Sequence, residues 1–96
     1  MKIFLTKRVE QNYISIKIYV AKEWLQNVAA AFEEKAFDFL TLLMLFPEMG
    51  SEEVAEKQIR AFQLTKQTKV FYRIKNESII ILSFFDVRQN PIKKPK

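Results

Sequence analysis

The chain has 96 residues, a length that fits one domain with one modest core. It contains no cysteine and no histidine, which excludes disulfides, thiolate nucleophiles, zinc sites and histidine-dependent hydrolase triads. Residues 1–56 hold six Lys or Arg and nine Asp or Glu, a net charge of −3, whereas residues 57–96 hold ten and two, a net of +8. The basic C-terminal part is suited to a nucleic acid or an acidic protein segment.

The N-terminal half is predicted to begin with a short strand, Lys2 to Leu5, followed by a helix that starts near Lys7. Ile14, Ile16 and Ile18 also alternate as in a strand, but the three-and-four spacing of apolar residues runs longer than a typical strand and favours a helix. The predicted helical face consists of Val9, Tyr13, Ile16, Val20 and Trp24.

A second helix is predicted from about residue 28 to residue 46, ended by Pro47 and by Gly50, the only glycine. Its apolar residues spread well beyond one narrow face, so the helix is either deeply buried or covered by a partner. The main stripe is Phe32, Ala36, Phe39, Leu43 and Phe46, widened by Phe37, Leu40, Leu42 and Leu45. Residues 50–57 are interpreted as a solvated acidic loop.

The C-terminal half is predicted to form three strands. They are Ile59 to Thr65, Lys69 to Lys75 and Ser78 to Phe85, joined by turns at Lys66–Gln67 and Asn76–Glu77. The last strand is almost continuously apolar, which is typical of a strand buried on both faces.

The predicted fold class is therefore α+β: an N-terminal strand, a helical hairpin and a three-strand antiparallel meander in one small sheet. One domain is expected over residues 1–90, with a basic, flexible tail over residues 91–96. The apolar run from Leu42 to Pro47 is far too short to span a bilayer, and the N-terminus lacks the features of a signal peptide. A cytoplasmic protein without metal or cofactor is expected.

Three arginines are the leading candidates for a functional site. Arg60 and Arg73 fall in neighbouring strands and Arg88 follows the third, so we expect them to gather on one face as an anion-binding patch. The alternative is that each is a solvated strand residue. Tyr72 is a further candidate, although its alternation with Val70 and Ile74 favours a place in the core.

Asp86 follows the last strand and could orient Arg88 through an ion pair, or could simply be a turn residue. Trp24 is interpreted as packing at a helix end. The tail lysines Lys93, Lys94 and Lys96 are interpreted as solvated, with weak nucleic-acid affinity as the functional alternative.

Taken in order, several segments resemble the RelE/ParE toxin superfamily. They are Lys69 to Ile74, the aliphatic Ile79 to Leu82, and the ending Asp86 to Pro91, which reads Asp-Val-Arg-Gln-Asn-Pro. Upstream, Ile16, Tyr19, Val20 and Trp24 resemble the first helix of the family, and Phe46 to Gly50 resembles its helix terminator. The ending is closer to ParE-like than to RelE-like members.

The resemblance implies a small twisted antiparallel sheet with an N-terminal helical hairpin. It also implies the toxin of a type II toxin–antitoxin (plasmid stabilisation) module, neutralised by a cognate antitoxin. ParE-like members inhibit DNA gyrase, and RelE-like members cut mRNA on the ribosome. Because the chain has no histidine and no tyrosine after Tyr72, a RelE-type proton shuttle would fall to Lys66, Lys69 or Lys93.

Three functions stay open on the sequence. The first is a growth-inhibiting toxin that binds gyrase without chemistry of its own, with Arg60, Arg73, Arg88, Tyr72 and Asp86 contacting antitoxin or target. The second is a ribosome-dependent endoribonuclease that uses Arg60, Arg73 and Arg88. The third is a non-toxic protein-binding module. A homodimer and a toxin–antitoxin hetero-oligomer are both open.

Overall fold

The structure is a computed structural model that describes residues 1–23 and 26–87. Its elements, in chain order, are β1 (Lys2–Leu5), α1 (Lys7–Glu23), α2 (Gln26–Leu45), β2 (Ser51–Val54), a short 3-10 turn (Ala55–Lys57), β3 (Ile59–Gln63), β4 (Thr68–Lys75) and β5 (Ser78–Asp86). The predictions for Trp24, Arg88 and the tail beyond residue 90 lie outside the described residues.

Both predicted helices are present, but the prediction for Phe46 is wrong: α2 ends at Leu45, and Phe46 lies beyond it with 60% of its surface exposed. Thr6 caps α1, since its Oγ1 accepts a hydrogen bond from the backbone N–H of Val9 at 3.1 Å. Each helix then buries one face against the sheet. The buried residues are Val9, Ile16 and Val20 of α1, and Ala29, Phe32, Ala36, Phe39 and Leu43 of α2.

The five strands form one mixed sheet in the order β1-β5-β4-β3-β2. The predicted meander is present: β4 pairs antiparallel with both β3 and β5. Strand β1 runs parallel to β5, from Lys2 opposite Ser78 to Leu5 opposite Ile81, so the sheet is not purely antiparallel as the family resemblance implied. The α+β class is confirmed.

The predicted acidic loop over residues 50–57 is wrong in part, because the structure forms β2 there. Ser51 pairs with Ala61 and Glu52 with Arg60 across an antiparallel ladder. Every residue of β2 is exposed, so no buried face imposes an apolar alternation on its sequence. The sequence of a polar strand at the edge of a sheet therefore resembles that of a loop.

A β-bulge in β5 sets which of its side chains face the helices. Phe71 of β4 pairs with Ser83 while Tyr72 pairs with Ile81, so Leu82 is the extra residue. On one side of it Ile79 and Ile81 are buried, and on the other Phe84 is buried. The inward pattern therefore shifts by one residue at the bulge.

The helical hairpin covers one face of the sheet only. Tyr13 of α1 stacks on Phe32 of α2 at 5.6 Å between ring centroids and meets Phe84 of β5 edge-on at 5.3 Å. On the other face, which we call the open face, Ile80 and Phe85 are only partly covered. The expectation that β5 is buried on both faces is therefore wrong, because no second layer covers the open face in the described part of the chain.

Candidate functional site

Tyr72 and Arg60 lie side by side on the helix-covered face of the sheet. They are directly opposite each other in the β3–β4 ladder, and residues opposite each other point to the same face. The Tyr72 hydroxyl donates to the carbonyl of Pro47 at 2.8 Å and accepts from the backbone N–H of Gly50 at 2.9 Å. Tyr72 is fully buried, and this burial raises the pKa of its phenol against the lowering effect of the Gly50 hydrogen bond.

Arg60 binds the same loop from its outer side. Its Nη1 donates to the carbonyl of Gly50 at 2.6 Å and to that of Glu48 at 3.2 Å, and its Nη2 lies 3.9 Å from the Glu52 carboxylate. The guanidinium therefore ties residues 47–50 to the sheet. Its predicted contact with an antitoxin or a target stays a prediction.

Position 50 requires a glycine, because there the loop over residues 47–50 passes close to Tyr72 and to β3. A Cβ atom at this position would lie 2.7 Å from the carbonyl oxygen of Ala61 and 2.7 Å from the Tyr72 hydroxyl. The sequence suggested that Gly50 helps to end α2, but α2 already ends at Leu45. The glycine instead allows the backbone to approach the sheet closely enough for the Tyr72 hydroxyl to bind it.

Arg73 lies on the open face, so the predicted meeting of Arg60 and Arg73 is wrong. Arg73 pairs with Ile59, one position away from the pair between Arg60 and Tyr72. Since successive residues of a strand point to opposite faces, this register sends the two guanidinium groups to opposite sides. The Arg73 Nε donates to the carbonyl of Lys57 at 3.0 Å.

Asp86 is a buried residue at the end of β5 and not an exposed turn residue. Its side chain is 3% exposed, and its Oδ2 accepts a hydrogen bond from the Thr68 hydroxyl at 2.5 Å. Thr68 stands opposite Asp86 in the β4–β5 ladder, so the contact joins two neighbouring strands at the sheet end. The predicted ion pair between Asp86 and Arg88 lies outside the described residues.

A groove with a mostly apolar lining and a volume of about 720 Å³ lies between the two helices. We call it the hairpin groove. Two of its lining side chains are strongly exposed, Phe37 at 69% and Ile14 at 51%. Its apolar lining consists of Leu5, Tyr13, Ile14, Phe37, Leu40 and Phe84, and the carboxylate-bearing residues along it are Glu10, Glu33 and Glu34.

The electrostatics of the hairpin groove differ from those of the C-terminal strands. Lys17 pairs with Glu33 across the two helices, while Glu10 and Glu34 form no ion pair within the described residues. Burial, followed by the nearby charge of Glu33, raises the pKa of the Tyr13 phenol. The sequence left open whether α2 is deeply buried or covered by a partner. It did not indicate an acidic groove, because the groove depends on which helix faces meet.

The described residues were also compared with the requirements of a metal site and of a membrane span. No three acidic residues among them come together in a way that could hold a metal ion. Within residues 1–23 and 26–87, neither helix has the length and hydropathy needed to cross a bilayer.

Two solved structures share this arrangement of sheet and hairpin. One, described as the chromosomal ParDE toxin–antitoxin system of P. aeruginosa, superposes with a TM-score of 0.72 at 14% identity, over 90% of this chain and 95% of that chain. The other, a YoeB/ParE toxin from Agrobacterium tumefaciens, superposes with a TM-score of 0.62 at 14% identity, over 90% and 98%. The chain thus has the α+β fold seen in these toxin systems.

The family follows from the sequence comparison. The model of the ParE toxin of the type II toxin–antitoxin system, parDE, matches residues 3–91, which is nearly the whole chain. The chain belongs to the ParE toxin family. No curated protein sequence matches it significantly.

Proposed function

We propose that this chain is the toxin of a type II toxin–antitoxin pair, that its cognate antitoxin neutralises it by occupying the hairpin groove, and that it arrests growth by binding DNA gyrase. Membership of the ParE family supports the toxin role. The exposed apolar lining of the hairpin groove is the observation that carries the antitoxin part. It is a surface on which a partner would bury large side chains.

The chemistry of the hairpin groove specifies the segment that fits it. Burying a large apolar side chain such as Phe37 or Ile14 contributes about 1.5–3 kcal/mol, so a few anchors suffice for tight binding. The groove lies between two helices and has a mostly apolar lining, as suits an amphipathic helix. Since Glu10 and Glu34 have no ion-pair partner among the described residues, the segment is expected to carry Lys or Arg beside its apolar anchors.

Protein binding is favoured over RNA cleavage by the contacts of Arg60 and Arg73, the two candidate catalytic arginines within the described residues, and by those of Tyr72. Arg60 and Tyr72 are turned toward the α2–β2 loop and bind its backbone. Arg73 lies on the opposite face, where it binds Lys57. These three side chains therefore do not converge on one position where a scissile phosphate could sit, as electrostatic stabilisation of its transition state requires.

Controlled expression of the full chain tests the toxin role. We expect growth arrest that is relieved by co-expression of the antitoxin encoded in the adjacent reading frame. Purified protein should inhibit supercoiling by gyrase in proportion to its concentration, while transcripts in arrested cells stay intact. Normal supercoiling at saturating protein, with mRNA cut at defined codon positions, would replace the gyrase proposal with the endoribonuclease.

A matched pair of variants tests the hairpin groove. Phe37→Asp places a charge in the apolar lining and should weaken antitoxin binding at least roughly tenfold, which corresponds to about 1.4 kcal/mol. Val54→Asp introduces the same charge at an exposed position of β2, far from the hairpin groove, and should leave the affinity unchanged. Equal affinities of the two variants, both folded, would place the antitoxin elsewhere.

A further inference from the structure

A second concavity lies on the other side of the sheet, at the end formed by the β3–β4 turn and the last residues of β5. Its volume is about 360 Å³, and we call it the sheet pocket. It combines two phenyl rings with two ammonium groups and two side-chain amides. These residues are Phe71, Phe85, Lys66, Lys69, Gln63 and Gln67.

The strand register brings the rings and one of the cations together. Lys69 of β4 lies opposite Phe85 of β5, so both side chains are on the open face. Phe71 follows two residues later on the same face, and the Lys69 Nζ lies 5.8 Å from its ring centroid. Both rings are partly exposed, so they offer a surface on which a flat group can stack.

The second cation comes from a turn held by its own hydrogen bonds. The Thr65 Oγ1 accepts from the backbone N–H groups of Gln67 at 3.1 Å and Thr68 at 3.0 Å. The backbone N–H of Val87 then donates to the Gln67 carbonyl at 3.0 Å, which ties the turn to the end of β5. Lys66 is therefore presented from a fixed backbone.

The lysines give the sheet pocket a positive charge, and no described carboxylate offsets it. Within residues 1–23 and 26–87, neither Lys66 nor Lys69 forms an ion pair, and no Asp or Glu lines the sheet pocket. Asp86, which is adjacent in sequence to Phe85, points to the helix-covered face and binds Thr68. An anion that enters the sheet pocket meets cations without a competing carboxylate.

We propose that the sheet pocket binds single-stranded nucleic acid, with a base stacked on Phe85 and Phe71 and the flanking phosphates held by Lys66 and Lys69. Aromatic side chains interleaved with cations on an open sheet face are suited to unpaired bases and a charged backbone. An acidic peptide would use the lysines but would have no need of the two rings. The inference goes beyond the proposed binding of gyrase, because it assigns a nucleic-acid ligand to a different surface of the chain.

The sheet pocket and the hairpin groove are on opposite faces of the sheet. The sheet pocket is built from the open-face residues Lys69, Phe71 and Phe85, whereas the hairpin groove includes Phe84, which faces the helices. An antitoxin in the hairpin groove would therefore leave the sheet pocket accessible. Nucleic-acid binding is expected both for the free toxin and for its complex with the antitoxin.

Fluorescence anisotropy with the full chain and labelled 12-nucleotide oligo-dT and oligo-U, in parallel with a blunt duplex of equal length, tests the proposal. We expect both single strands to bind more tightly than the duplex, and their order identifies the preferred nucleic acid. Phe85→Leu should weaken binding at least roughly fivefold through lost stacking. Its matched control is Phe46→Leu, at an exposed phenylalanine that lines neither the sheet pocket nor the hairpin groove, and this variant should bind normally.

The salt dependence separates a pocket from a diffuse basic surface. Lys69→Gln and Lys66→Gln should each reduce the slope of log K against log salt by about 0.7, the value for one phosphate contact on a single strand. Lys35→Gln removes the same charge from the exposed side of α2 and should leave the slope unchanged. Equal losses for all three lysine variants would overturn the proposal, because the binding would then be non-specific.

Two more results would overturn the nucleic-acid proposal. One is duplex binding as tight as single-strand binding, since paired bases cannot stack on the rings. The other is tight binding of an oligo-glutamate peptide with none of the oligonucleotides. Gyrase inhibition and growth arrest, measured on the same variants, distinguish the nucleic-acid proposal from the gyrase proposal. If Phe85→Leu arrests growth normally but no longer binds oligonucleotide, the gyrase proposal stays intact.

Discussion

Arg60 lies directly opposite Tyr72 across β3 and β4, and both side chains bind the backbone of the loop that leads from α2 into β2. The tyrosine holds the loop from beneath, through Pro47 and Gly50, while the arginine holds it at Glu48 and Gly50. Two residues that the sequence suggested as binding groups thus position the link between the helical hairpin and the edge of the sheet. Their first measurable effect should be on stability.

Tyr72→Phe should lower the free energy of unfolding by about 1–3 kcal/mol, because the Gly50 N–H and the Pro47 carbonyl would lose a buried partner. Urea denaturation measures the change. Tyr19→Phe is the matched control, since the Tyr19 ring packs against the core and its hydroxyl forms no hydrogen bond within the described residues. A loss of equal size in both variants would contradict the role of the Tyr72 hydroxyl.

Gly50→Ala should destabilise the protein by about 1–3 kcal/mol, because the new methyl group would overlap the Ala61 carbonyl oxygen and the Tyr72 hydroxyl. Ser51→Ala, at the neighbouring exposed position, should change the free energy of unfolding by less than about 0.5 kcal/mol. Thermal unfolding of the two variants side by side provides the comparison. An unchanged free energy of unfolding for Gly50→Ala would show that the loop lies further from the sheet.

Glu77→Gly should stabilise the protein by about 0.5–1 kcal/mol, because a left-handed backbone is costly for any residue with a Cβ atom. Asn76 and Glu77 have φ angles of 51° and 61° at the β4–β5 turn. The substitution creates Asn-Gly, the pair preferred in such two-residue hairpins. Ser78→Gly, within β5, should instead be destabilising, and the denaturation midpoints of both variants check the two signs.

Stability should fall as the pH rises above about 10, the ordinary pKa of tyrosine. Burial raises the pKa of the Tyr72 phenol in the folded state. In the window between the ordinary and the raised pKa, the unfolded chain loses a proton that the folded chain retains, so increasing pH favours unfolding. Urea titrations across this range should show that the free energy of unfolding declines less steeply with pH for Tyr72→Phe than for the unchanged protein. Identical slopes of the two proteins would argue against a raised pKa of the phenol.

Much of the fold could be predicted from apolar spacing, because a buried helix or strand face requires apolar residues at regular intervals in the sequence. Both helices and the β3–β4–β5 meander were found in this way. β2 was missed since Ser51 to Val54 are exposed on both sides. The bulge at Leu82 was missed as well, because an almost continuous apolar run conceals a shift in which residues point inward.

The candidate site was harder to predict because it depends on register. The sequence placed Arg60 and Arg73 in neighbouring strands, which is correct, but a single-residue difference in pairing decides whether they share a face. The partners of Tyr72 and Arg60 are backbone groups of a distant loop, and such contacts leave no side-chain pattern. The hairpin groove likewise arises only when the two helices meet, and the excess of apolar residues on α2 was equally compatible with deep burial and with a partner that covers it.

The bulge in β5 has a consequence for how this protein can tolerate a change in length. Leu82 is 40% exposed and has no Cα partner in β4, whereas Ser83 and Ile81 on either side of it do have partners. Removing Leu82 would leave every pair of the β4–β5 ladder unchanged, whereas removing Phe84 would turn the residues after it to the wrong face. A shorter homologous chain could therefore arise by deletion of the single codon for Leu82 without loss of the core.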